Sequence, residues 1–244
     1  MTGGLSGHDL AILWAGAFLG AVAVGAGGFG FALAASAIWL HGLSPVRTTV
    51  LVVGCGLLLH VVTIWPLRRS LRFDRVWPFV AGCLIGIPLG VQVLARLDAT
   101  VLKPVLGGLL LAYGVYAILV RRLPVIGVGG RGADMAVGFA GGVLGGIGGF
   151  SGVLPMIWTQ LRGWKRDEAR ATYQPYILVA NVATLLVIGA FGLDRSALLL
   201  IVVALPALAA GAWVGWRVYG WVDDQVFRRV VAGIVAVSGL SLIL

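Results

Sequence analysis

Long apolar runs separated by short polar and basic segments dominate this chain. Six runs have about the 20 residues that one helical membrane crossing needs, and they cover residues 49–66, 76–95, 101–120, 172–191, 196–216 and 226–244. The pattern predicts an all-α polytopic membrane protein whose main partner is the lipid bilayer.

Two further apolar runs, residues 9–40 and 135–161, are interrupted by glycine clusters, Gly25–Gly30 and Gly145–Gly152. Glycine is a poor helix former and accepts positive φ, so each cluster is a point where the chain can reverse. A bend there leaves arms of about 15 and 13 residues, short of a full crossing. Each run is therefore predicted to be a re-entrant hairpin.

The clusters also reveal a repeat, because residues 27–30 align with residues 148–151 at a spacing of 121. Thr49 matches Thr172 and Asp74 matches Asp194, so the chain divides into a first half (1–122), a linker (123–134) and a second half (135–244). Each half has one hairpin and three crossings, an odd number, so the halves are predicted to be inverted repeats. Many secondary transporters are built this way and bind substrate near the midplane, here between the two hairpin tips.

Composition and charge refine the class of protein. The chain is 60% hydrophobic and 11% charged, yet it has a formal net charge of +9. The basic residues lie in short clusters between apolar runs, as topology-setting charges do, and not on one solvated face as in a nucleic-acid binder. No nucleic-acid partner is expected. Two cysteines inside apolar runs define no metal site, and neither a metal nor a cofactor is expected.

The glycine content, 38 of 244 residues, is more than twice the usual ~7%. At the two clusters, backbone amides freed by a broken helix and the positive end of the helix dipole would suit an anion. The backbone candidates for the binding site are Gly27, Gly28, Phe29, Gly30, Gly148, Gly149, Phe150 and Ser151. The alternative for glycines flanking the clusters is close helix packing.

Polar side chains near the starts of two matched spans are further candidates. Arg47 and Arg170 occupy equivalent positions in the two halves, and a guanidinium is suited to a sulfonate or carboxylate. Hydrogen-bond donors close to them are Thr49, Thr172, Tyr173 and Gln174. Deeper in the spans lie His60, a candidate proton carrier, and Asn181, which shares a helix face with Gln174.

The twin glycine-phenylalanine clusters resemble those of the TauE/SafE sulfite-exporter family. The more specific match is in the second half, where residues 148–152 (GGFSG) are followed by residues 165–174 (KRDEARATYQ) and Asn181. The resemblance covers essentially the whole chain. It implies inverted halves with re-entrant hairpins and transport of sulfite, thiosulfate or organosulfonates such as sulfoacetate.

Two other functions compete with transport. Residues 149–152 spell the G-x-S-G of rhomboid-type intramembrane proteases, with Ser151 as nucleophile, but all three histidines precede Ser151, the reverse of the protease order. A noncatalytic membrane scaffold is the other alternative, and glycine-rich faces leave room for a homodimer. The chain has no Walker A sequence, so a transporter would be secondary and not an enzyme.

The distribution of basic residues predicts the orientation in the cell membrane. If both hairpins return to their starting side, fourteen Lys and Arg residues share one face and four lie on the other. The positive-inside rule makes the fourteen-residue face cytoplasmic. Reporter fusions at either terminus should therefore be active only on the extracytoplasmic side. A C-terminal reporter active in the cytoplasm would contradict the predicted topology.

Overall fold

The computed structural model describes residues 6–27, 30–64, 71–120, 124–190, 195–218 and 224–244. All the regular structure in these ranges is α-helical, as predicted. In chain order the ten helices are α1 (Gly7–Gly27), α2 (Phe31–Gly42), α3 (Pro45–Ile64), α4 (Phe73–Arg96), α5 (Ala99–Leu119), α6 (Arg131–Gly148), α7 (Val153–Leu161), α8 (Arg166–Ala190), α9 (Arg195–Val218) and α10 (Asp224–Ile243).

The predicted spans fall on α3, α4, α5, α8, α9 and α10, while the span ends at 66 and 191 lie outside the described residues. Within the described ranges, six helices are long and apolar enough to cross a membrane. Five of these six are predicted spans, and the sixth is α1. The described apolar part of α10, Arg229–Ile243, is shorter.

The arms of the two broken runs are unequal, whereas the sequence predicted similar halves. α1 has 21 residues and α2 has 12, and α6 has 18 and α7 has 9. The reason is that several of the clustered glycines are helical and continue α1 and α6. Among the described residues of the two clusters, the left-handed conformation occurs at Gly30 (φ 95°) and Gly149 (φ 78°).

Contacts along α1 and α2 show that the chain turns back on itself. A side-chain carbon added at Gly20 would lie 2.7 Å from the ring of Phe31, and one at Gly42 would lie 2.6 Å from Ile12. Between these points the buried Trp39 donates its indole N–H to the carbonyl of Leu13 at 3.1 Å. The end of α2 therefore lies beside the start of α1.

The second broken run reverses in the same way. Near the turn, a carbon added at Gly145 would lie 2.9 Å from the Cβ atom of Ser151, and one at Gly141 would lie 3.3 Å from Pro155. At the other end, the indole of Trp158 donates to Asp134 in the first turn of α6 at 2.7 Å. The α6–α7 segment is thus a helical hairpin with its base at Asp134 and its tip at residues 149–152.

The helices are arranged in two compact units, which are described separately. The first unit comprises Met1–Cys55, Asp98–Leu119 and Arg195–Leu244, and the second comprises Gly56–Leu97 and Val120–Asp194. Each unit therefore contains helices from both predicted halves, and the division falls within α3.

In the second unit, α4 and α6 pack with their backbones in direct contact. Gly82, Gly86 and Gly90 of α4 face the carbonyl groups of Met135, Phe139 and Val143, and Gly138, Gly142 and Gly146 of α6 face those of Phe79, Cys83 and Ile87. The glycines recur every four residues on both helices, so they form one continuous stripe on each. Such small-residue stripes allow backbones to approach closely where lipid offers no hydrophobic driving force.

An equivalent interface joins α1 and α9 in the first unit. Gly211 faces the carbonyl of Phe18, and Gly215 faces that of Val22. Residues 18 and 22 precede Phe139 and Val143 by 121 positions, which is the spacing of the sequence repeat. Each hairpin therefore packs its longer helix against a span from the opposite half of the chain.

We expect the packing of α4 on α6 to be sensitive to a single methyl group. A Cβ atom at position 142 would lie 2.5 Å from the carbonyl oxygen of Cys83, whereas one at Gly108 of α5 would meet nothing within 4 Å. Gly142→Ala should lower the unfolding free energy by about 1–3 kcal/mol through overpacking. The matched Gly108→Ala should be neutral, or stabilising by up to about 1 kcal/mol through helix propensity.

Thermal unfolding of the purified protein in detergent measures both effects. Equal melting temperatures for the two variants would contradict the proposed role of the α4–α6 contact.

Candidate functional site

The tip of the second hairpin is built by the backbone around Gly149. This residue ends α6 in the left-handed conformation and donates to the carbonyl of Gly145 at 2.8 Å, while Phe150 donates to that of Leu144 at 3.3 Å. These bonds satisfy the carbonyl groups of Leu144 and Gly145 in the last turn of α6. Phe150 and Ser151 follow with 3% and 1% of their surface exposed, so the tip is held inside the unit.

Backbone amides without helical partners collect at the start of α7. Val153 donates to Phe150 and Met156 to Gly152, and Pro155 has no N–H to offer. The amides of Ser151, Gly152 and Leu154 have no backbone acceptor in the described part of the chain, and no side chain caps α7. Free amides at a helix start, with the positive end of the helix dipole, provide a favourable environment for an anion.

The side chain of Ser151 is also without a partner. Its Oγ atom is buried and makes no hydrogen bond within the described ranges. In particular, no described histidine is hydrogen-bonded to this hydroxyl.

A polar stripe on α8 faces this tip. Arg170, Gln174, Asn181 and Thr184 lie within an arc of about 80° on the helix, since successive residues are about 100° apart. Ile177 lies within the same arc, about 20° from its centre, and a carbon added at Gly152 would lie 2.8 Å from its Cγ1 atom. The contact between Gly152 and Ile177 therefore brings the stripe alongside the free amides of the tip.

The stripe is buried along most of its length. Gln174 and Thr184 are fully buried, Asn181 is 3% exposed, and Arg170 is half-buried with an Nε atom that makes no hydrogen bond among the described residues. On the adjoining face, the buried Tyr176 donates its hydroxyl to the carbonyl of Gly138 at 3.0 Å. This bond fixes α8 against α6 and sets the direction of the stripe.

The two predicted threonine donors have the same local bond. Thr49 donates to the carbonyl of Pro45 at 2.9 Å, and Thr172 donates to that of Glu168 at 3.0 Å. A hydroxyl has one proton to donate. In this conformation, therefore, either threonine could interact with a ligand only as an acceptor.

The second unit brings together about half of the residues expected from the sequence. Gly148 ends α6, and Gly149, Phe150 and Ser151 belong to the tip, while Arg170, Gln174 and Asn181 lie on the stripe. Tyr173 is buried on another face of α8, and His60 is buried in the second unit's part of α3.

In the first unit, Gly27 ends α1, Gly30 precedes α2, Thr49 is buried and Arg47 is exposed. Gly28 and Phe29 lie outside the described residues. The described ranges contain no group of three His, Cys, Asp or Glu side chains that could hold a metal ion.

Two features were not assigned to the site from the sequence. Thr184 is a polar residue within the predicted span at 172–191, and it extends the stripe by three residues beyond Asn181. Asp134 meets Trp158 and Arg162 at the hairpin base, and no spacing rule joins Asp134 to the other two because the turn at Gly149 lies between them.

A protein-family model described as Sulfite exporter TauE/SafE matches residues 12–242. No curated protein and no solved structure matches the chain. The family match includes both hairpins and all the predicted spans.

Proposed function

Because the chain belongs to the TauE/SafE sulfite exporter family, we propose that it is a secondary carrier of a small sulfur-containing anion across the cell membrane. The substrate candidates are sulfite, thiosulfate and organosulfonates such as sulfoacetate. Family membership and the six helices long enough to cross a membrane support membrane transport in general.

The observation that carries the proposal is the contact of Gly152 with Ile177, in the middle of the α8 stripe. It joins two kinds of anion ligand: the amides of Ser151, Gly152 and Leu154, and the polar side chains at 174 and 181. Backbone and amide N–H groups bind an oxyanion without a fixed opposing charge, so the anion can also leave. Arg170, one turn from Gln174, supplies a positive charge and a planar set of donors for sulfonate oxygens.

The hairpin geometry supports a binding site within the membrane. At 1.5 Å per residue, the tip of α6 is about 21 Å from Asp134, against a hydrocarbon thickness of about 30 Å. α1 counted from Gly7 is long enough to cross, but its end is about 23 Å from Ile12, the residue beside which α2 ends. Helices α7 and α2, at about 14 and 18 Å, are too short to cross. We therefore propose that both hairpins are re-entrant and that each tip ends inside the bilayer.

The matched interfaces support the inverted repeat. α6 packs on α4 as α1 packs on α9, through carbonyl groups separated by the same 121 residues. In an inverted repeat with an internal two-fold axis, we expect each hairpin to pack against a span of the other half in an equivalent way.

Ligand-dependent stability tests the substrate class. Thermal unfolding of the purified protein should be shifted upward by one of sulfite, thiosulfate, taurine or sulfoacetate, because a ligand that binds only the folded state stabilises it. Phosphate at the same concentration is the control. An absence of response to every sulfur anion, or an equal response to phosphate, would contradict the proposed substrate class.

Substitutions on α8 test the location of the site. Gln174→Ala or Arg170→Ala should weaken binding of the responding anion at least about tenfold, equivalent to ~1.4 kcal/mol, because each removes a donor from the polar stripe of α8. Gln160→Ala is a matched control, since Gln160 lies on the part of α7 that is farther from the tip. Isothermal titration calorimetry gives the three affinities.

If the Gln174 and Arg170 variants bind the anion as tightly as the unaltered protein, the assignment of the site to the tip and the stripe is wrong, even if the protein transports a sulfur anion.

A further inference from the structure

A second group of polar side chains lies at the base of the α6–α7 hairpin, at the opposite end from the tip. Asp134 is 8% exposed and accepts a hydrogen bond of 2.7 Å from the indole of Trp158 through its Oδ1 atom. The same oxygen lies 3.5 Å from the Nη1 atom of Arg162. A buried carboxylate therefore accepts one hydrogen bond from a neutral donor and forms an ion pair with a guanidinium.

The guanidinium of Arg162 is enclosed by aromatic rings and backbone. Its central carbon lies 5.8 Å from the ring centres of both Trp158 and Trp164. The backbone at Gly129, where φ is 145°, lies directly against Nη1, and a side chain at this position would occupy the same space. Arg162 is thus fixed in place by its surroundings as well as by Asp134.

The hydrogen-bonding capacity of Arg162 is only partly used by Asp134. The 3.5 Å separation is longer than the 2.7–2.9 Å typical of a charge-assisted hydrogen bond. The buried Nη1 atom makes no hydrogen bond within the described ranges. A guanidinium has five N–H donors, so an anion with more oxygens than a carboxylate could be bound more completely at the same place.

The first hairpin shows that closing the base does not require a charge. There Trp39 of the returning helix α2 donates to the carbonyl of Leu13, and Leu13 precedes Asp134 by the repeat spacing of 121 residues. The equivalent bond in the second hairpin is made to a carboxylate, with an arginine added. The carboxylate and the arginine are therefore features specific to the second hairpin.

Two further features favour an anion at this position. Asp134 is in the first turn of α6, where the helix dipole stabilises negative charge. Arg75 of α4 lies 4.9 Å from the ring of Trp164, on which Arg162 also stacks, and is itself paired with Glu168 of α8 at 3.4 Å. The guanidinium of Arg75 is therefore close to the position that an anion would take if it replaced Asp134 as the partner of Arg162.

We propose that Arg162 and the indole N–H of Trp158 form a second binding site for small oxyanions, which Asp134 occupies as an internal competitor. An incoming oxyanion takes the place of the carboxylate, so the occupied site has an opened hairpin base. Its role as a station for the transported substrate rests on the proposed function, whereas its affinity for oxyanions does not.

Removal of the competing charge tests this site. Asp134→Asn retains an oxygen acceptor for Trp158 but has no negative charge. Calorimetric titration with sodium sulfite and with sodium sulfate should give at least tenfold tighter binding to this variant than to the unaltered protein. Adding Arg162→Gln to Asp134→Asn should abolish the gain. Asp134→Ser provides the same test if the asparagine variant does not fold.

Two controls separate this site from the rest of the protein. Trp39→Phe removes the equivalent indole donor from the first hairpin and should leave the affinities for both anions unchanged. The gain from Asp134→Asn should persist in the Gln174→Ala background, because the two sites are at opposite ends of the hairpin. No gain from either Asp134 variant, or a gain that survives Arg162→Gln, overturns the proposal.

The outcomes also separate this proposal from the transport proposal. Binding that depends on Gln174 without any gain from the Asp134 variants would contradict the second site alone. A gain that depends on Arg162, in a protein that shows no preference for sulfur anions over phosphate, would support the second site and contradict the proposed substrate class.

Discussion

The direct backbone contact between α4 and α6 is the constraint on which the second unit depends. α7 has nine residues and cannot be stable alone in lipid or water. Its position therefore depends on the position of α6. α6 is in turn held by glycines that alternate with carbonyl groups across the interface. Because neither helix has side chains along this stripe, the approach is fixed by backbone shape and leaves little freedom for sliding.

This rigid support explains how an irregular segment can persist deep in the protein. The turn at Gly149 satisfies the carbonyl groups of α6 but leaves amides at the start of α7 without helical partners. Such backbone is tolerated at membrane depth only where protein covers it or where it lines a cavity. The α8 stripe provides polar neighbours on one side of the tip, and Tyr176 locks α8 to the helix that ends there. Structural support and the proposed ligand-binding groups are therefore on adjoining faces of one helix.

The two hairpins share a backbone plan but differ in chemistry at the base. The first is closed by a neutral bond from a fully buried indole, and the second by a carboxylate, an indole and an arginine. An anion does not compete with a neutral hydrogen bond to a main-chain carbonyl, and such a bond does not depend on the charge of its partners. The pairing of a carboxylate with arginine is weakened both by a competing anion and by loss of the carboxylate charge. The proposed oxyanion site is consequently assigned to the second hairpin, although the two hairpins have the same outline.

The sequence by itself predicted the helical class and, to within several residues, the positions of the helices in the described ranges, because hydrophobic run length and glycine clustering are local properties. The stripe from Gln174 to Asn181 followed from helix periodicity in the same way. The unequal arms of the hairpins could not be predicted, since the sequence does not say which glycines of a cluster remain helical and which, like Gly149, adopt the left-handed conformation. Only the tertiary structure brought Gly152 to Ile177 and Asp134 to Arg162. These pairs are distant in the sequence, and they meet because of backbone packing that no single segment encodes.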